Sequence, residues 1–183
     1  MRRVLTGLVA AALCAVPAAG CSAGGGTAGG CTGPRHEALD IRSTIHLLPG
    51  APEPPYSTDP PTSGAHRVGY YPSGVNAAAI ARPTQVALLE KGFVIVQYRS
   101  APAAAAVAPL AAASPYVAVA PDPTLPNAVV ATSWLYDLRC ASAAPGAVAA
   151  ISRFIGQRVG HGPEPTIPLS ETVPGGVTTT TAG

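Results

Sequence analysis

The segment FVIVQYR, residues 93–99, is the part of the sequence that most directly indicates the fold. It begins with a run of apolar residues in which Val94, Ile95 and Val96 are β-branched. A short apolar run of this composition is typical of a strand that is buried on both faces of a sheet. We therefore expect helices to cover that sheet.

A helix is predicted on each side of this strand. Residues 84–91, TQVALLEK, indicate one or two helical turns that end at Gly92. Downstream, the alanine-rich residues 100–114 predict a helix that is capped at Ser100. Pro109 is expected to kink or split this helix, because proline has no N–H to donate and its ring clashes with the preceding turn.

Two more strands and a last helix complete the predicted core. Residues 115–121 and 128–138 have the composition of strands, and a helix begins at Pro145 and ends before Gly160. The predicted class is α+β, with a small sheet of about three strands in the order β-α-β-β-α and helices packed on it. An irregular proline-rich segment precedes this core.

The composition fits one domain with tails. The chain has 183 residues, of which 48% are hydrophobic, 11% are charged, 20 are glycine and 21 are proline. We predict four segments: a lipoprotein-type signal peptide over 1–21, a glycine-rich linker over 22–34, a single globular domain over 35–165 and a disordered tail over 166–183.

The N-terminus has the features of a bacterial export signal. Two arginines precede an apolar stretch, residues 4–16, that is too short to span a bilayer as a stable helix. Residues 17–21, PAAGC, resemble a lipobox, in which Cys21 would be acylated. The alternative is ordinary cleavage near Ala19, which would leave Cys21 as a thiol. Acylation predicts an extracytoplasmic protein anchored by lipid to the outer face of the cell membrane.

The charge balance argues against a nucleic-acid partner. Loss of Arg2 and Arg3 with the signal would leave as many basic as acidic residues, so the mature protein would be close to neutral. The membrane is therefore the expected partner, through the lipid on Cys21. A protein or small-molecule partner is not identified by the sequence.

Two cysteines remain for a disulfide bond. Cys14 would leave with the signal and Cys21 would carry lipid, so Cys31 and Cys140 are the remaining pair in an oxidising compartment. We predict a Cys31–Cys140 disulfide. The alternative is that both are free or buried thiols.

Residues 57–69, STDPPTSGAHRVG, predict a rigid turn because they are rich in turn-forming residues. We expect this loop to be a presented surface of the protein. Its motif residues are Pro60, Pro61, Thr62, Ser63, Gly64 and His66.

Two interpretations of His66 are open. In one, the rigid Pro-Pro turn holds His66 as a metal ligand or proton carrier. In the other, the loop is structural, the hydroxyls of Thr62 and Ser63 bond the backbone, and the imidazole packs against Tyr70 or Tyr71. A separate site could combine His36 and His46 with Glu37 or Asp40.

Four segments together resemble a bacterial family. They are PPTSGAH at 60–66, ALLEKGFVIVQYR at 87–99, YVAVAPDPTLPNAVVATSW at 116–134 and AAISRFIGQRVGHGPE at 149–164. The chain resembles the domain-of-unknown-function family three-one-zero-five, which is common in extracytoplasmic proteins of actinobacteria. The similarity spans residues 45 to 165.

The resemblance implies a histidine and glutamate site that this chain retains in part. The family typically has PPTSGPH and later HxLEHG, and these residues look like a metal or catalytic constellation. His66 and Glu90 stand at matching positions, whereas Ala87 and Lys91 replace the helical histidines and Ala65 replaces a proline. The resemblance implies no established activity.

We therefore expect a non-enzymatic binding or accessory domain at the cell surface, without a cofactor. The alternative is a metal-binding protein that uses His66, Glu90 and one further histidine to hold copper or zinc. A hydrolase is not indicated, because Ser63 lacks the Gly-x-Ser-x-Gly context of a nucleophile elbow.

Overall fold

A computed structural model describes residues 26–27 and 29–164 of the chain. The predicted signal peptide, the predicted lipidation at Cys21 and the predicted tail over 166–183 lie outside the described residues. None of the described helices is long and apolar enough to cross a membrane.

The described residues form one mixed seven-stranded sheet, in the order β1-β2-β7-β6-β4-β5-β3. The strands β4 and β5 are parallel, and β4 is antiparallel to β6 on its other side. The strand bounds are β1 Gly26–Thr27, β2 Cys31–His36, β3 Gly74–Val75, β4 Val94–Tyr98, β5 Val117–Pro121, β6 Val129–Ser133 and β7 Tyr136–Cys140.

Three α-helices cover the two faces of the sheet. They are α1 Arg82–Glu90, α2 Ala101–Val107 and α3 Pro145–Arg158, with 3-10 helices at Ile41–Thr44 and Ala108–Ala113. Helix α1 packs on the face that carries Ile95, whereas α2 and α3 cover the face that carries Val94 and Val96. Strand β4 is therefore buried on both faces, as its composition predicts.

The α+β class is confirmed, but the sheet is larger than the three strands predicted. The predicted strand over 128–138 is in fact a hairpin, in which β6 and β7 are joined by Trp134 and Leu135. Residues 31–34, predicted as linker, belong to β2. The split of the alanine-rich helix is confirmed, since α2 passes into a 3-10 helix that contains Pro109.

The predicted disulfide between Cys31 and Cys140 is present. The two residues are cross-strand partners in β2 and β7, and both are buried. Next to them, the fully buried carboxylate of Asp137 accepts two hydrogen bonds from Arg35 and one from Arg139. Strand β2, whose first residues were predicted to be linker, is therefore held to the domain by both a disulfide bond and a group of ion pairs.

Candidate metal centre

The motif loop is buried, so the prediction of a presented surface is wrong. All seven residues from Pro60 to His66 are buried, and His66 is fully inaccessible to solvent. In the upstream segment, by contrast, the side chains of Ile45 and Leu48 are exposed. The loop therefore positions groups inside the protein.

Hydrogen bonds from the upstream segment fix the loop. The Ser63 hydroxyl accepts a hydrogen bond from the Asp40 amide at 2.9 Å, and the Ser43 hydroxyl accepts one from the Gly64 amide at 2.9 Å. The Tyr56 hydroxyl donates to the Ala65 carbonyl at 2.8 Å. The structural role predicted for the Ser63 hydroxyl is thus present.

The side chain of Asp40, whose amide bonds Ser63, forms further hydrogen bonds within the upstream segment. Its carboxylate accepts hydrogen bonds from the side chain and amide of Arg42 and from the Ser57 hydroxyl. These interactions outweigh the effect of burial and lower the pKa of Asp40 to about 2. Asp40 therefore remains ionised at neutral pH and holds the segment that precedes His46.

Replacing Gly64 with alanine is expected to lower the free energy of unfolding by about 2 kcal/mol. Gly64 has a φ of +132°, and a Cβ at this position would lie 2.9 Å from Cδ1 of Tyr56. Urea unfolding measures the effect. Gly156→Ala is the matched control, because Gly156 lies in α3 with open space around it and should not be destabilised by alanine. Equal stability of the two variants would contradict the prediction.

His46 and His66 are paired through both backbone and side chain. The His66 amide donates to the Ile45 carbonyl at 3.0 Å, and the Leu47 amide donates to the His66 carbonyl at 2.7 Å. The two residues form an isolated parallel β-bridge, and their rings meet edge to face with centroids 4.7 Å apart. His46 is exposed while His66 is buried, so the pair extends from the protein surface to the interior.

The tautomer of His66 follows from its contacts. Nδ1 lies 3.2 Å from the Gly64 carbonyl, which can only accept, so Nδ1 carries the hydrogen. In a neutral ring Nε2 then presents its lone pair 2.7 Å from Oε2 of Glu90. His66 is fully buried at this contact, and a proton on Nε2 would make it an ion pair with Glu90. A proton or a metal cation would relieve this contact between two electron-rich atoms.

The electrostatic environment of His66 favours positive charge. Burial lowers the pKa of its imidazole, but the Glu90 carboxylate and the Gly64 carbonyl raise it by more, so the net shift is upward. Glu90 is the last residue of α1 and its side chain is 9% exposed. The pocket therefore favours the protonated form of His66, and a metal ion would have to displace that proton.

His46, His66 and Glu90 form a compact set of ligand atoms. One donor atom from each residue lies within 4.8 Å of the others. Two imidazoles and one carboxylate are a ligand set known for zinc, and imidazole also suits copper. The bond from Nδ1 to a backbone carbonyl is the outer contact that metal-binding histidines usually make. The residues present therefore fit a metal ion.

The residues at the family's helical histidine positions do not supply ligands. Ala87 is buried in α1 and offers only a methyl group. Lys91 forms an ion pair with Glu164, which raises the pKa of Lys91 and lowers that of Glu164. The Glu164 carboxylate also interacts electrostatically with His66 and His46.

The structure places His46 beside the predicted pair of His66 and Glu90. The alternative site that joined His36 and His46 is not formed, since the His36 ring packs on Tyr136 and the Asp40 carboxylate is held by Arg42. Among residues 29–164, the cluster containing His46 is the sole group of this kind. Its partnership with His66 depends on a bridge between distant residues that no local pattern reveals.

Comparison with known proteins gives a family but no described function. No curated protein and no solved structure matches the chain. The family model described as "Protein of unknown function (DUF3105)" matches residues 53–171, a range that includes His66, Glu90 and Glu164 and begins after His46. The chain therefore belongs to the DUF3105 family of proteins of unknown function.

Proposed function

We propose that this protein is an extracytoplasmic metal-binding domain that holds zinc or copper through His46, His66 and Glu90. The observation that carries the proposal is the convergence of three donor atoms within 4.8 Å of one another. The burial of His66 beside the Glu90 carboxylate, with Nε2 2.7 Å from Oε2, supports it. A binding role rather than catalysis agrees with the described residues, where the Ser63 hydroxyl is engaged by the Asp40 amide.

Zinc binding by the chelator-treated, purified protein tests this function. Isothermal titration is expected to give one zinc ion per chain. An excess of about 100-fold over Kd should stabilise the fold by about 2.7 kcal/mol and raise the melting temperature by about 5 to 10 °C. Magnesium is the control, because it prefers oxygen ligands and should leave the melting temperature unchanged. Absence of both heat and stabilisation with zinc and with copper would refute the proposal.

The proposed location is the outer face of the cell membrane, with lipid on Cys21. The Cys31–Cys140 disulfide supports an oxidising compartment, since such bonds are rare in the cytosol. Cys21→Ser is expected to move the protein from the membrane fraction to the soluble fraction of its native host. Recovery of this variant in the membrane fraction, at the wild-type level, would argue against the lipid anchor.

A further inference from the structure

The segment from Gly160 to Glu164 crosses the C-terminal end of α1, beside the metal-binding cluster. The Gly160 amide donates to the Gly92 carbonyl at 2.8 Å, and the Glu164 amide donates to the Glu90 carbonyl at 3.2 Å. The backbone at Glu164 is therefore held directly against the backbone of a proposed ligand.

Gly162 makes this close approach possible. A Cβ at Gly162 would overlap the carbonyl of Glu90, so a residue with a side chain could not occupy the position without moving the segment. The tight contact fixes where the chain places Glu164. The backbone of a second acidic residue thus lies against that of Glu90.

The Glu164 carboxylate has a partner outside the cluster and is partly exposed. It forms an ion pair with Lys91, the residue that follows Glu90. Its side chain is 38% exposed, compared with 17% for Lys91, so it has room to turn. The backbone contact with Glu90 keeps this partly exposed residue at the edge of the cluster.

We propose that Glu164 is the fourth protein ligand of the metal centre and that Lys91 holds its carboxylate until a metal ion binds. This inference rests on the proposed function. Zinc in proteins is usually four-coordinate, and the cluster of His46, His66 and Glu90 supplies three donors. Binding exchanges one cation for another at the Glu164 carboxylate, because the metal ion replaces the ammonium group of Lys91.

Zinc affinity is the first test. Glu164→Gln removes the charge with little change in size, and it is expected to weaken zinc binding at least about 10-fold. Glu53→Gln is the matched control, because Glu53 is exposed and lies outside the cluster. Lys91→Met removes the competing ammonium group and is expected to strengthen binding several-fold. An affinity of Glu164→Gln within about 2-fold of wild type would overturn the inference.

The reactivity of Lys91 is the second test, and it is specific because Lys91 is the only lysine of the chain. Acylation of its amine can be followed by peptide mass spectrometry in the full-length protein. Zinc is expected to accelerate labelling in the wild type, since the freed ammonium group loses its carboxylate partner. In Glu164→Gln, labelling should be fast with or without zinc. Labelling of wild-type Lys91 that zinc leaves unchanged or slows would overturn the inference.

These outcomes separate the two proposals. Failure of the wild-type protein to bind zinc or copper would overturn both. Zinc binding that survives in Glu164→Gln and is lost in His46→Ala would overturn only the role of Glu164. A loss of binding in both variants, together with zinc-dependent labelling of Lys91, is the result expected from a four-ligand site.

Discussion

Replacing His66 with alanine is expected to abolish detectable zinc binding and to destabilise the fold as well. His66 supplies the buried donor atom of the cluster, and its imidazole is fully enclosed by protein. Alanine would remove the ligand and leave a cavity, so a loss of binding alone would not distinguish a missing ligand from a disturbed fold.

His46 is the exposed residue of the cluster, so its replacement can separate the loss of a ligand from damage to the fold. His46→Ala is expected to weaken zinc binding at least about 100-fold while the free energy of unfolding without metal changes little. His36→Ala is the control, because His36 is also exposed but packs on Tyr136 outside the cluster. Zinc titration and urea unfolding of the three variants provide the measurements. Zinc affinity that His46→Ala leaves intact would show that the three residues do not act as one site.

The second large effect is expected from loss of the disulfide. Replacing both Cys31 and Cys140 with alanine should lower the free energy of unfolding by about 4 kcal/mol, since the bond closes a loop between residues 109 positions apart. The bond joins β2 to β7 at a buried cross-strand pair, so strand β2 and the short β1 beside it should be the first elements to lose protection.

Comparison of oxidised and reduced wild type provides the control. Urea unfolding of the wild type in reducing buffer should shift toward that of the Cys31→Ala/Cys140→Ala variant, whereas the variant itself should not respond to reductant. The remaining contacts of β2, which include the bond from Arg35 to the buried Asp137, should keep the variant folded. Identical unfolding of oxidised and reduced wild type would contradict the predicted contribution.

The hairpin between β6 and β7 shows why one element boundary was not predictable. Gly, Asn and Pro are the usual markers of a tight turn, and residues 128–138 contain none of them. Leu135 nevertheless has a φ of +60°. Its amide donates to the Thr62 carbonyl at 3.1 Å, and its carbonyl accepts from the Glu37 amide at 2.8 Å. The left-handed conformation is thus imposed by contacts with two distant segments.

Some residues of the candidate site could be predicted from local sequence, and others could not. His66 could be selected because it lies in a turn motif, and Glu90 because it matches the glutamate of the family pattern HxLEHG. His46 and Glu164 could not, because they reach the cluster through backbone hydrogen bonds to His66 and Glu90 from remote parts of the chain. Local composition carries no information about such pairings.

The sequence by itself determined the α+β class, the buried strand at 94–98, the interrupted alanine-rich helix and the pairing of Cys31 with Cys140. These features follow from local periodicity, from the missing N–H of proline and from the small number of available cysteines. The tertiary structure alone decided that the motif loop is buried, that His46 faces His66 and that Glu164 lies against Glu90. Those outcomes depend on hydrogen bonds between residues far apart in the chain, whose partners exist only once the sheet and α1 have assembled.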